Sequence, residues 1–146
     1  MSEAVREREE KNQTTDVLVQ GGVSITAGIT LLAALFLPWL STKYSAIIGL
    51  TQAVDQAAVV IPLTLILLAT LMIFGGAIHI LGYRVGIKLA TVMSAIGFCI
   101  SILVIVFTLA YPEKFEGKML NALIGPWLGV AGTIFGAISS KLERKK

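Results

Sequence analysis

Charged residues are scarce in this sequence and missing from four long stretches. Asp, Glu, Lys and Arg make up 14% of the 146 residues, whereas hydrophobic residues make up 55%. The stretches without these four residue types are 17–42, 56–83, 89–112 and 119–140, which together hold 100 residues. A soluble domain of this size needs charge spread over its whole surface. The scarcity therefore excludes a soluble globular domain, a disordered chain and a nucleic-acid-binding module.

Cysteine and histidine each occur once, as Cys99 and His79. A single cysteine excludes an internal disulfide and a Cys-x-x-Cys redox pair, and we expect Cys99 to be an apolar filler. A single histidine excludes two axial haem ligands from one chain, although two copies or a partner's ligand leave a haem-contacting role open. We expect His79 to be a polar intramembrane site that hydrogen-bonds a neighbouring helix. Because the sequence holds no catalytic triad, phosphate-binding loop, metal-ligand cluster or paired carboxylates, it predicts no enzyme, no cofactor and no metal site.

The four uncharged stretches predict four transmembrane helices. Crossing a hydrocarbon core of ~30 Å takes about 20 apolar residues in a helix, and each stretch reaches that length. A membrane β-strand alternates apolar and polar residues, whereas a run such as 100–109 is apolar on every side. The expected fold is an all-α antiparallel bundle with spans near Val17–Leu40, Val59–Leu81, Leu89–Ala110 and Leu120–Ser140.

Basic residues divide unequally between the two ends of these spans. Nine of them lie at one end: Arg6, Arg8, Lys11, Arg84, Lys88, Lys141, Arg144, Lys145 and Lys146. Three lie at the other: Lys43, Lys114 and Lys118. Because Lys and Arg resist translocation, we expect both termini in the cytoplasm, with the cell membrane as the default membrane. The expected organisation is a charged tail at 1–16, a transmembrane domain at 17–140 and a basic tail at 141–146.

Tyrosine and tryptophan residues cluster near the expected outer ends of the spans. Tyr and Trp favour the membrane–water boundary, where the apolar ring lies in lipid and the polar group stays hydrated. The residues predicted to anchor the chain at this boundary are Trp39, Tyr44, Tyr111 and Trp127.

Small residues recur on one face of the third and fourth spans. In the fourth span Gly125, Gly129, Gly132 and Gly136 fall within about 60° of arc. The same spacing occurs in the third span as Ala90, Ser94, Gly97 and Ser101. Small residues let helix backbones approach closely in lipid, so we expect tight helix packing on these stripes. The sequence leaves open whether the packing partner is another helix of the chain or a second copy.

These observations predict a small multi-pass membrane protein without catalytic chemistry. The leading hypothesis is a subunit or assembly partner of a membrane complex, acting through helix–helix packing, with the bilayer and other membrane subunits or further copies as partners. The second hypothesis is an oligomeric small transporter or channel. The third is a haem- or quinone-contacting membrane anchor.

Overall fold

Four helices and one short strand pair make up the part of the chain that the structure describes. A computed structural model describes residues 3–41, 44–45, 56–110, 124–139 and 141. The helices are α1 Glu3–Ala34, α2 Gln56–Ile80, α3 Arg84–Ala110 and α4 Ile124–Ser139. Directly after α1, strand β1 (Pro38–Ser41) pairs antiparallel with strand β2 (Tyr44–Ser45). The predicted all-α class is confirmed, with this strand pair as an addition.

Three of the helices are long and apolar enough to cross a membrane, by length and composition. Their candidate spans are Arg6–Ala34, Val60–Ile80 and Arg84–Val106. Helix α4 is apolar but has 16 residues. At a rise of 1.5 Å per residue that is about 24 Å, which is less than a hydrocarbon core of ~30 Å. The described residues therefore give three membrane-length helices where the sequence predicts four. Residues 120–123 and 140 of the fourth expected span lie outside the described residues.

Helix α1 starts earlier and ends earlier than the expected span. The charged tail is helical from Glu3, and the helix ends at Ala34 instead of Leu40. The cause is Pro38, because in a continued helix its ring would clash with the carbonyl of Ala34. The chain instead leaves α1 through i→i−3 hydrogen bonds, among them Leu37 N–H to Ala34 O at 3.1 Å.

Two other prolines lie inside helices. Pro62 is the seventh residue of α2, not a first-turn residue, because α2 begins at Gln56. The missing N–H at this position leaves one interior hydrogen bond of the helix unmade. Pro126 is the third residue of α4 and therefore lies in its first turn, where a missing N–H is harmless.

The connection between α2 and α3 is a glycine-terminated turn. The N–H of Gly82 donates to His79 O at 2.9 Å, and the N–H of Tyr83 donates to Ile78 O at 3.2 Å. Gly82 has φ +96°, the left-handed conformation that glycine adopts without steric cost. This pair of bonds is a Schellman motif, which stops α2 and starts α3 two residues later.

The helices pack around a core that the chain fills itself. Helix α1 contacts α2 and α4, and α3 contacts the same two helices. Later residues of α1 contact earlier residues of α2: Gly21 lies against Gly76 and Ile80, and Gly28 lies against Ala69 and Ile73. The largest fully buried apolar side chains are Leu31, Leu35, Leu65 and Met72.

Large apolar side chains also cover the outer surface of the helices. The most exposed of them on the four helices and on the turns that follow α1 and α2 include Phe36, Leu67, Phe74, Leu81, Leu103, Val106, Trp127 and Phe135. In water such a surface would be unfavourable, whereas in lipid it needs no protein partner.

Candidate functional site

A buried hydrogen bond joins α1 to the end of α2. The Nε2–H of His79 donates to the amide oxygen of Gln20 at 2.9 Å, and the two side chains are only 5% and 7% exposed. Since that oxygen can only accept, the shared proton belongs to Nε2. Nδ1 of the same ring is buried and has no hydrogen-bond partner among the described residues. Gln20 was not singled out as a site residue from the sequence, because it lies 59 positions from its partner.

His79 also lines a half-open cavity of about 720 Å³ at this end of the helices. The α1 wall of the cavity carries acidic groups, Glu10 and Asp16, whereas the α3 wall carries basic groups, Arg84 and Lys88. Apolar residues of α1 and of the α2–α3 turn, such as Leu18 and Leu81, line it as well, and both are exposed. The cavity is therefore polar in part, balanced in formal charge, and bordered by apolar surface.

The glycine stripe of α4 packs inside the chain. A Cβ added at Gly132 would lie 3.2 Å from both Ala27 O and Thr30 Cβ of α1, and one added at Gly129 would lie 3.0 Å from Ser101 Oγ of α3. At Gly136 the added atom would meet Met72 Cε at 2.7 Å. The remaining member of the stripe, Gly125, is also buried. The neighbours of this stripe thus belong to the same chain.

The small-residue stripe of α3 faces two of the other helices. Ser94 donates a hydrogen bond to Thr133 O on α4, and a Cβ added at Gly97 would lie 3.0 Å from Thr133 Cγ2. On the α2 side, a Cβ added at Gly75 would lie 3.2 Å from Ala90 Cβ. Ser101 is fully buried, and its hydroxyl has no hydrogen-bond partner among the described residues.

Two adjacent glycines let α2 approach both of its neighbours. Gly76 packs on Gly21 of α1, while Gly75 packs on Gly86 and Ala90 of α3. Neighbouring positions on a helix point about 100° apart, so one Gly-Gly pair serves two interfaces. The sequence analysis did not single out this pair; adjacent glycines within an apolar helix are the signal that could have found it.

The four predicted boundary anchors differ in their surroundings. Trp127 is 55% exposed, as a lipid- or boundary-facing ring would be. Trp39 is only 3% exposed, and its indole N–H donates to Ala34 O at 2.7 Å. The expectation that Trp39 faces the boundary is corrected here, because its ring fills the core and caps the last carbonyl of α1. Tyr44 pairs with Ser41 in the short sheet, and Tyr111 lies outside the described residues.

The surroundings of Cys99 and His79 decide whether a redox group such as haem could reach them. Cys99 is exposed on α3, so it lies on the outer surface of the helices. Both nitrogens of His79 are enclosed, one by Gln20, so a surface-bound haem would reach neither without a rearrangement. No group of three or more His, Cys, Asp or Glu side chains that could hold a metal occurs within the described ranges.

The described residues define a class, a helical chain with three helices of membrane-spanning length and apolar composition. Searches of protein-family models, curated proteins and solved structures find no match to this chain.

Proposed function

We propose that this chain is a non-enzymatic multi-pass membrane protein that acts as a subunit or assembly partner of a membrane complex. Its helices would form an antiparallel bundle of four spans in the cell membrane, with both termini in the cytoplasm. The distribution of basic residues supports this orientation. The fourth span would be residues 120–140, as the sequence predicts.

The observation that carries the proposal is the inward direction of the small-residue stripes. Gly129, Gly132 and Gly136 contact α1, α2 or α3, so close packing is used to build the bundle and not to bind a second copy. What the bundle offers to other membrane components is its bulky outer face, for example Phe74 of α2 and Trp127 of α4. Large aromatic side chains are frequent anchors of protein–protein contacts. A partner would therefore bind this outer face.

Purification of the tagged chain from its native membrane in a mild detergent tests the proposal. Native mass spectrometry should show the 15.6 kDa chain in stoichiometric association with another protein or with further copies. Two variants are compared: Trp127→Ala/Phe135→Ala removes outer aromatic side chains of α4, and Phe74→Ala removes one of α2. We expect only one of these two variants to weaken the association. A lone chain carrying nothing but lipid, under conditions that keep it folded, would contradict the proposal.

A second candidate function, an oligomeric transporter or channel, is favoured by the buried hydroxyl groups. Ser24, Ser94, Ser101 and Thr133 are all fully buried. A flux of ions or small solutes through reconstituted vesicles that changes in Ser101→Ala would support it. Absence of any flux from folded protein would remove it.

A further inference from the structure

The cavity beside His79 lies where each surrounding helix changes from charged to apolar sequence. On α1 the acidic residue Asp16 is followed directly by Val17 and Leu18, and Glu10 lies six residues before Asp16. Where α2 passes into α3, apolar Leu81 is soon followed by Arg84. In the proposed membrane placement, on which this inference rests, such a change of polarity marks the level of the lipid headgroups.

Opposite charges line different walls of this cavity. Glu10 and Asp16 belong to α1, whereas Arg84 and Lys88 belong to the first turns of α3. The positive end of the α3 helix dipole and these two basic side chains together make this wall of the cavity positive. A ligand that carries both an anion and a cation complements this arrangement better than a simple anion.

His79 forms the inner wall of the cavity and is 95% buried. Its Nδ1 is enclosed and has no hydrogen-bond partner among the described residues, so a ligand in the cavity would reach this atom only after the ring turns. A volume of about 720 Å³ is within the range of ligand-binding cavities.

We infer that the cavity binds the headgroup of a zwitterionic phospholipid with a primary amine, as in phosphatidylethanolamine. The phosphate lies at Arg84 and Lys88, the ammonium group lies at Glu10 and Asp16, and the acyl chains leave along the exposed apolar surface at Leu18 and Leu81. Because a primary ammonium donates hydrogen bonds and a trimethylammonium does not, phosphatidylcholine binds more weakly. Phosphatidylglycerol lacks the cationic group, so it leaves the carboxylates of Glu10 and Asp16 without a partner.

Native mass spectrometry of the full-length protein in detergent, titrated with each of these three lipids, tests the inference. Phosphatidylethanolamine should bind most tightly. Its affinity should fall roughly tenfold in Arg84→Gln/Lys88→Gln and in Glu10→Gln/Asp16→Asn, the size expected when a charge-assisted hydrogen bond is lost. The exposed Lys141, which does not line the cavity, provides the control, and Lys141→Gln should bind like the original protein.

Several results would overturn the inference. They are equal affinity for all headgroups, a preference for phosphatidylglycerol, and unchanged binding in both double variants. Free phosphoethanolamine that binds as tightly as the lipid would assign the cavity to a soluble ligand instead. Alkaline carbonate extraction separates this inference from the membrane placement: a chain that stays in the membrane but shows no headgroup preference contradicts the lipid site alone.

Discussion

At the scale of single residues, two neighbouring glycines of α1 have opposite environments. A Cβ added at Gly21 would meet the side chain of Ile80 and would lie 2.8 Å from the backbone oxygen of Gly76. A Cβ added at Gly22 would have no atom within 4 Å. The requirement for glycine at the first position is therefore steric, since α2 approaches to backbone contact there.

These two positions give a matched pair of substitutions. We expect Gly21→Ala to lower the free energy of unfolding by about 1–3 kcal/mol, because the backbone of Gly76 must move. We expect Gly22→Ala to be neutral or to raise it by up to about 1 kcal/mol, because alanine favours the helix. Thermal unfolding in detergent measures both, and equal losses at the two positions would contradict the α1–α2 contact.

The Gln20–His79 hydrogen bond gives a second prediction at this scale. His79→Leu leaves the buried amide of Gln20 without a partner and should cost about 1–3 kcal/mol. In Gln20→Leu/His79→Leu both polar groups are gone, so most of that loss should be recovered. Unfolding titrations of the single and double variants in detergent measure the difference. A double variant that is no more stable than His79→Leu would argue against a direct pairing.

Part of this residue-level detail could be predicted from sequence. The periodic spacing of Gly129, Gly132 and Gly136 indicated one packing face, because helical geometry fixes their direction. The identity of the facing residues, such as Ala27 and Ser101, could not be predicted, because it depends on which helices are neighbours and at what height. The core position of Trp39 likewise depends on the turn after α1.

At the scale of elements, the long stretches without charged residues predicted that helices form there. The residues at which the helices end depend on local chemistry instead. Pro38 ends α1 four residues before its own position, and Gly82 ends α2 through its left-handed conformation. The expected end at Leu40 was wrong because hydrophobicity continues past Ala34 while the helix does not. The first helix also includes the charged tail, since nothing in residues 3–16 breaks it.

The attachment of α4 to the other helices gives an element-scale prediction. Gly132 faces Ala27 O and Thr30 of α1, so Gly132→Leu should push α4 away and lower stability by about 1–3 kcal/mol or more. Ile134 is exposed on the opposite side, and Ile134→Leu preserves volume, so its effect should be small. Size-exclusion profiles and thermal unfolding in detergent compare the two. The same behaviour in both variants would mean that α4 does not pack through its glycine face.

At the scale of the whole molecule, the account joins a core packed within one chain to an outer surface of large apolar residues. Interior contacts use glycine and serine, whereas exposed positions such as Phe74 and Leu103 carry bulky side chains. This is the arrangement expected in lipid, where close backbone packing, not burial of leucine, brings helices together. In the proposed orientation, the end that carries more basic residues lies in the cytoplasm.

The central claim is that the helices form a membrane bundle with both termini in the cytoplasm. Labelling of single cysteines with a membrane-impermeant maleimide tests it most directly. In a Cys99→Ala background, we expect Arg8→Cys and Lys141→Cys to react only after the cells are permeabilised, and Ser45→Cys to react in intact cells. Reaction of Arg8→Cys and Lys141→Cys from different sides, or of all three positions equally in intact cells, would contradict a membrane bundle with both termini in the cytoplasm.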